Sequence, residues 1–228
     1  MIRIITDSAA DFEPEELEQM NITCIPLTVM FGEQEYQENV NLSKPQFYEL
    51  LLGSQEPPKT AQASPQILLE LFENAKEAGD PAIYITLSSG LSGTYQSACM
   101  TKGLVEYDGC YVVDSLNATG GYRMIVEHAV KLRDQGKTAA EIVEGIGKMR
   151  KRIVLYACID TLKYLYRGGR ISQTAYTIGS LAQIKPIIRV DERAASQFRQ
   201  KRWVRERAWT TCASICNSRR WTRSSRCM

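Results

Sequence analysis

The stretch richest in usable chemistry is Ser88-Ser89-Gly90-Leu91-Ser92-Gly93-Thr94-Tyr95-Gln96-Ser97-Ala98, which follows the apolar run Ile83 to Leu87. A strand that runs into a serine- and glycine-rich loop and then a helix turns backbone N–H groups and the positive end of a helix dipole toward an anion. Phosphate and carboxylate suit such a cradle equally. The loop has no lysine in the GxxxxGK[ST] position and is not GxGxxG, so a nucleotide P-loop is not indicated. Taken alone, it reads equally well as a tightly turning helix start whose serines satisfy their own backbone. The enzyme alternative is a serine hydrolase or phosphate-using transferase built on Ser88 to Thr94. The loop does not complete a Gly-x-Ser-x-Gly elbow, and the single histidine, His128, falls inside a periodic helical segment, Thr119 to Gln135, rather than on a loop where a triad base would sit. No His, Cys, Asp or Glu cluster has the spacing of a metal site.

Four other polar segments belong in the same argument. Asp7-Ser8 and Asp114-Ser115 each follow an apolar run, and in an open parallel sheet ligands bind beyond the carboxyl ends of the strands, so both could share a crevice with Ser92. Each reads equally as a helix N-cap. Lys59-Thr60-Ala61-Gln62-Ala63-Ser64-Pro65 offers a hydroxyl, and Leu165-Tyr166-Arg167-Gly168-Gly169-Arg170-Ile171 combines a tight double-glycine turn with Arg170, a forked donor for a carboxylate or a partner in a surface ion pair.

The elements that must position these groups alternate between short β-branched runs and helix-length periodic segments, the signature of an α/β fold with a parallel sheet. The predicted strands are Arg3 to Thr6, Thr23 to Phe31, Ala82 to Leu87, Tyr111 to Asp114, Val154 to Ile159 and Pro186 to Val190. Helix starts are marked by capping boxes at Ser43-Lys44-Pro45-Gln46 and Thr138-Ala139-Ala140-Glu141 and by Ser64-Pro65, with C-terminal caps at Gly79 and Gly136. The basic run Lys148 to Arg152 reads as a solvated helix end beside a half-domain boundary.

The 228 residues, 44% hydrophobic and 24% charged, suffice for a sizeable buried core and exclude disorder or a small disulfide scaffold. No apolar run reaches the roughly 18 residues of a membrane span, and the start lacks the build of a signal peptide, so a soluble cytoplasmic protein is expected, without stable membrane insertion. Seven cysteines without a CxxC pair predict reduced thiols. The net charge of +2 hides a split: residues 1–192 hold 18 of the 28 basic and 25 of the 26 acidic residues, so the body is −7 and the tail +9. Trp203, Trp209 and Trp221 also fall in that tail. Such composition suits a nucleic-acid or membrane-surface arm. The competing explanation is a frameshift near Arg193, because plausible codons for Arg193 to Cys216, read two nucleotides on, can spell GSVSVPAKAVGTRKGMDYMRKHL, an alternating strand followed by a helix-like stretch. That explanation is adopted, and no nucleic-acid partner is expected.

Taken in order, Ile5-Thr6-Asp7-Ser8-Ala9-Ala10-Asp11, Ile25-Pro26-Leu27, Thr60-Ala61-Gln62-Ala63-Ser64, Ser88 to Tyr95, Val113-Asp114-Ser115, Asp160 to Leu165, Gly168-Gly169-Arg170-Ile171 and Ile184-Lys185-Pro186-Ile187 resemble the DegV family of fatty-acid-binding proteins. The resemblance covers residues 1 to about 190. It implies an α/β protein with a parallel-sheet N-terminal lobe (1–155), the start of an incomplete second α/β lobe (156–192) and a basic tail (193–228) that is out of frame and disordered. It further implies that a long-chain fatty acid such as palmitate is bound with its chain buried and its carboxylate held by Thr60, Ser92, the Gly93 N–H and Arg170. In such members a separate kinase subunit phosphorylates the presented carboxylate with ATP, for use in phospholipid synthesis. The binder is then a carrier rather than an enzyme and needs no cofactor or metal. Departures are Thr60-Ala61-Gln62 in place of Thr-Ser-Gln, Gln37 to Asn41 in place of an Asp-Gly turn, and the tail, whose shifted reading resembles the family's continuation.

Overall fold

The computed structural model describes residues 1–180, 185–190 and 202–204. Along the chain the elements are β1 (Arg3–Asp7), a 3-10 turn (Ser8–Ala10), α1 (Pro14–Gln19), β2 (Ile22–Ile25), β3 (Thr28–Phe31), β4 (Gln34–Gln37), α2 (Lys44–Gly53), β5 (Lys59–Ala61), α3 (Pro65–Ala78), β6 (Ala82–Thr86) and α4 (Thr94–Val105). They continue as β7 (Cys110–Asp114), α5 (Thr119–Asp134), α6 (Ala139–Arg150), β8 (Leu155–Cys158), α7 (Lys163–Arg167), α8 (Gln173–Ser180), β9 (Lys185–Val190) and β10 (Arg202–Val204). The chain divides into two compact units, one built on Met1–Leu155 and the other beginning at Tyr156.

The first unit is organised by a four-stranded parallel sheet in the order β2-β1-β6-β7. Every residue of β6 is buried, as expected for a central strand covered on both faces. On one face Ile4, Ile83, Ile85 and Val113 pack against Tyr122, Ile125 and Val126 of α5 and Ile142 and Ile146 of α6. On the other, Ile5, Ile25 and Tyr84 pack against Leu68 and Phe72 of α3 and Ala98 of α4.

Local chemistry explains where elements begin and end. Ser43 with Gln46, and Thr138 with Glu141, close reciprocal capping boxes at α2 and α6. Ser64 caps α3 with Pro65 in its first turn, and Gly79 ends that helix at φ 66°. The single strand expected over Thr23 to Phe31 is in fact two, β2 and β3, which belong to different sheets. Pro26 has no N–H to donate, so the ladder stops there and the chain changes direction. β3 then forms an antiparallel three-stranded sheet with β4 and β5, neither of which the hydrophobic pattern announced. The turn into β4 uses Gly32 at φ 61°.

In the second unit, β8, β9 and β10 form a sheet in the order β10-β9-β8, with β10 antiparallel to β9. Within the basic tail only Arg202–Val204 is described, as β10 paired with β9. The rest of the expectation for 193–228 lies outside the described residues. Tyr166 and Tyr176 stack with ring centroids 4.6 Å apart, joining α7 to α8.

Candidate anion-binding site at the carboxyl edge of the sheet

The chain runs from β1 to β2 on one side and returns to β6 and β7 on the other, so the strand order reverses between β1 and β6. Crevices at such reversals, beyond the carboxyl ends of the strands, are where open α/β sheets bind ligands. Three segments singled out from the sequence arrive there: Asp7-Ser8 after β1, Leu87 to Thr94 after β6, and Asp114-Ser115 after β7.

Asp7 and Asp114 both grip the loop between them. Asp7 Oδ2 accepts from Leu87 N–H (3.0 Å) and Oδ1 from Ala9 N–H (3.1 Å), so Asp7 is the N-cap of the 3-10 turn and a tether at once. Burial pushes its carboxyl up to about 6, against the lowering effect of those two N–H groups. Asp114 Oδ1 accepts from both Ser89 N–H (3.2 Å) and Leu116 N–H (2.8 Å). Asp7 is thus a helix N-cap, as its sequence position allowed, whereas Asp114 caps no helix, the N-cap of α5 being Ala118. Ser8 Oγ donates to Glu38 (2.7 Å) and accepts from Leu27 N–H (3.0 Å), which ties β4 and the β2–β3 corner to the same edge. Burial holds the Glu38 carboxyl above its usual range.

Within the loop the N–H groups can be followed one by one. Leu87 donates to Asp7, Ser88 to Asn117 C=O, Ser89 to Asp114, Gly90 to Ser88 Oγ, Leu91 and Ser92 to Ser88 C=O, and Thr94 to Ser92 Oγ. Only the Gly93 N–H has no acceptor among the described residues. Gly93 is exposed and is the N-cap of α4, without a side-chain cap. The expected cradle is thus largely self-satisfied, and the Gly93 N–H stays open beside the first-turn N–H groups of α4.

Thr60 reaches this region through β5, where it pairs with Val29 and is exposed. Just beyond it, Ala63 N–H donates to Thr94 Oγ1 (3.4 Å), and Gln62 Oε1 lies 2.8 Å from where a Cβ on Gly93 would stand. Thr94 Oγ1 is in turn 2.9 Å from Ser92 Oγ. The Thr60 and Ser92 segments are therefore joined by direct contacts. Arg170 belongs to the second unit, on the turn after α7 where Gly169 takes φ 73°; its N–H donates to Leu165 C=O (2.8 Å) and its Nη1 to Gly168 C=O.

Gln62 and Thr94 were inside quoted motifs but were not singled out, and nothing in residue type alone marks a glutamine that closes over a glycine. Ser92 Oγ bonds Thr94 Oγ1, while His128 lies toward Gly145 of α6, so the serine and histidine that a hydrolase would pair have other neighbours. Burial lowers the pKa of that half-buried histidine. Among the described residues no group of three His, Cys, Asp or Glu side chains could hold a metal ion, and no helix is long and apolar enough to cross a membrane.

Comparison with known proteins places these features. The family model described as an uncharacterised protein, DegV family, matches residues 1–222. A DegV domain-containing protein of Caldanaerobacter subterraneus is 35% identical over 210 residues, covering 89% of this chain and 75% of the relative. Among solved structures, a stearic acid-binding protein from Eubacterium ventriosum superposes with a TM-score of 0.83 at 26% identity, covering 96% of this chain and 75% of that one. DegV of Bacillus subtilis, described as a fatty acid binding protein, gives 0.80 at 32% identity over 95% and 77%. With the family model spanning nearly the whole sequence, the chain belongs to the DegV family.

Proposed function

We propose that this protein is a cytoplasmic carrier that binds a long-chain fatty acid, buries its chain and holds its carboxylate at the carboxyl edge of the sheet. The observation that carries this reading is the single open N–H of Gly93 in a loop whose other N–H groups are occupied, flanked by the hydroxyl of Ser92 and joined to the Thr60 segment. Ser92 Oγ and Thr60 Oγ1 are assigned the neutral donor contacts. The fatty acids bound by structural relatives at 26% and 32% identity support the ligand class. Each buried CH₂ adds roughly 0.8 kcal/mol, so a chain of palmitate length supplies ample affinity provided its carboxylate stays hydrogen-bonded.

In this reading the protein holds no cofactor and performs no bond-making step. The presented carboxylate is phosphorylated by a separate kinase subunit that binds ATP. The test is organic extraction of the purified protein, followed by mass spectrometry and titration with palmitate. A stoichiometric long-chain acid is expected, with affinity reduced by about 1–3 kcal/mol in Thr60→Ala and in Ser92→Ala. Unchanged affinity in both variants would remove the site assignment, and absence of any bound or titratable acid would remove the ligand.

A further inference from the structure

The loop that carries Ser92 and Gly93 is held from both sides, but the two tethers differ in kind. Asp7 spends both oxygens, Oδ2 on Leu87 N–H (3.0 Å) and Oδ1 on Ala9 N–H (3.1 Å). Asp114 uses Oδ1 alone, for Ser89 N–H (3.2 Å) and Leu116 N–H (2.8 Å). A carboxamide has one acceptor oxygen. It can therefore replace Asp114 without loss but cannot replace Asp7, because its NH₂ would face one of two N–H donors. On these contacts we infer that Asp7 is the positioning residue of the Ser92–Gly93 cradle, acting as a two-handed acceptor that only an ionised carboxylate can supply. This deepens the proposed function and rests on it for the ligand.

The surroundings make that ionised state conditional. The titratable groups facing Asp7 are Glu38 beyond β4, Cys24 on β2, Tyr84 on β6 and Tyr122 on α5. None of them is a cation, and among the described residues no Lys or Arg forms an ion pair with Asp7. Glu38 is itself half-buried and bonded to Ser8. The carboxylate is thus held by two backbone N–H groups with the Tyr122 hydroxyl beside it, and by no cation. When it takes up a proton, one oxygen becomes a donor and one of the two grips is lost, at about pH 6. Acidification should therefore reproduce Asp7→Asn.

The experiment uses the full 228-residue chain and stearate as the probe. Asp7→Asn is expected to weaken stearate binding roughly tenfold at pH 7.5, while Glu144→Gln, an exposed carboxylate paired with Lys148 on α6, stays within about twofold of the parent. Because Asp7→Asn also removes a buried charge, its melting temperature is not expected to fall, which separates positioning from loss of structure. In the parent protein without ligand, the amide proton shifts of Leu87 and Ala9 should titrate together with a midpoint near 6. A flat Leu87 shift through pH 5–7, or equal stearate affinity in Asp7→Asn and the parent, overturns the inference. Should Asp7→Asn fail to fold, the parent's amide titration decides. Should the parent fail to bind stearate, the fatty-acid reading falls, while the amide titration still judges Asp7.

Discussion

Removing one buried hydroxyl should cost this protein several times a typical hydrogen bond. Tyr122 is fully buried, and its Oη accepts from Thr6 Oγ1 (2.7 Å) and from Asp7 N–H (3.2 Å) while donating to Ile85 C=O. Tyr122→Phe keeps the ring and its packing against Ile4, Ile85 and Ile125, so the change isolates the polar contacts. It leaves two donors, Thr6 O–H and Asp7 N–H, and one carbonyl without their partner in a site closed to water. An orphaned buried group costs about 1–3 kcal/mol, and the three are not independent, so a loss of about 3 kcal/mol is expected. For a domain of this size that lowers the melting temperature by about 6–12 °C. Thr6→Val alone should cost about 1 kcal/mol, since Tyr122 keeps its other two bonds. In Thr6→Val/Tyr122→Phe the threonine is no longer orphaned, so the double variant should lie about 1 kcal/mol above the additive value. Urea unfolding of the four proteins, with unchanged m-values, makes the measurement. A loss below 1 kcal/mol for Tyr122→Phe, with additive singles, would refute the argument that this hydroxyl ties β1 to β6 and α5.

Other expectations follow from neighbouring contacts. Gly121→Ala would place a Cβ 2.1 Å from the buried Asn117 Oδ1, so it should destabilise by about 2 kcal/mol by urea unfolding despite alanine's better helix propensity. Gly103→Ala, where nothing lies within 4 Å of the added Cβ, should instead stabilise by about 0.5–1 kcal/mol. Thr138→Ala removes the hydroxyl that accepts from Glu141 N–H (3.3 Å) and should cost about 1 kcal/mol. Asp7 is raised from 3.8 to about 6, so the folded state holds its proton more tightly than the unfolded chain does. Its contribution is therefore most favourable below about pH 4 and is lost as pH rises through 6, on the order of 2–3 kcal/mol. The stability of Asp7→Asn relative to the parent should accordingly increase from pH 4 to pH 7, and a difference that is level across that range would exclude the effect.

The parts legible in the sequence were those with a local cause. Capping at Ser43, Ser64 and Thr138 follows from orphan N–H groups that must find an acceptor within three residues. The strands β1, β6 and β7 follow from apolar runs too short to be helices. β4 and β5 were invisible because Gln34–Gln37 and Lys59–Ala61 are polar and mostly exposed, so neither alternates. They are strands because β3 offers them two free edges, a fact of pairing that periodicity does not encode.

The same distinction governs the site. That Ser88 to Thr94 could cradle an anion was readable from residue type, yet type alone left a self-satisfied turn equally good, and for most of its N–H groups that is what the structure shows. What separates Gly93 from its neighbours comes from elsewhere in the chain. Asp7 and Asp114, 80 and 25 residues away from the amides they hold, consume the donors at Leu87 and Ser89, and Ser92 Oγ consumes that of Thr94. Gln62 then lies where a side chain on residue 93 would go. The glycine is thus needed for space rather than for an unusual backbone angle, since its φ is −73°. An open donor made by elimination at a strand-order reversal is a property of the assembled sheet. Its counterpart in sequence is only the pair of aspartates that end β1 and β7.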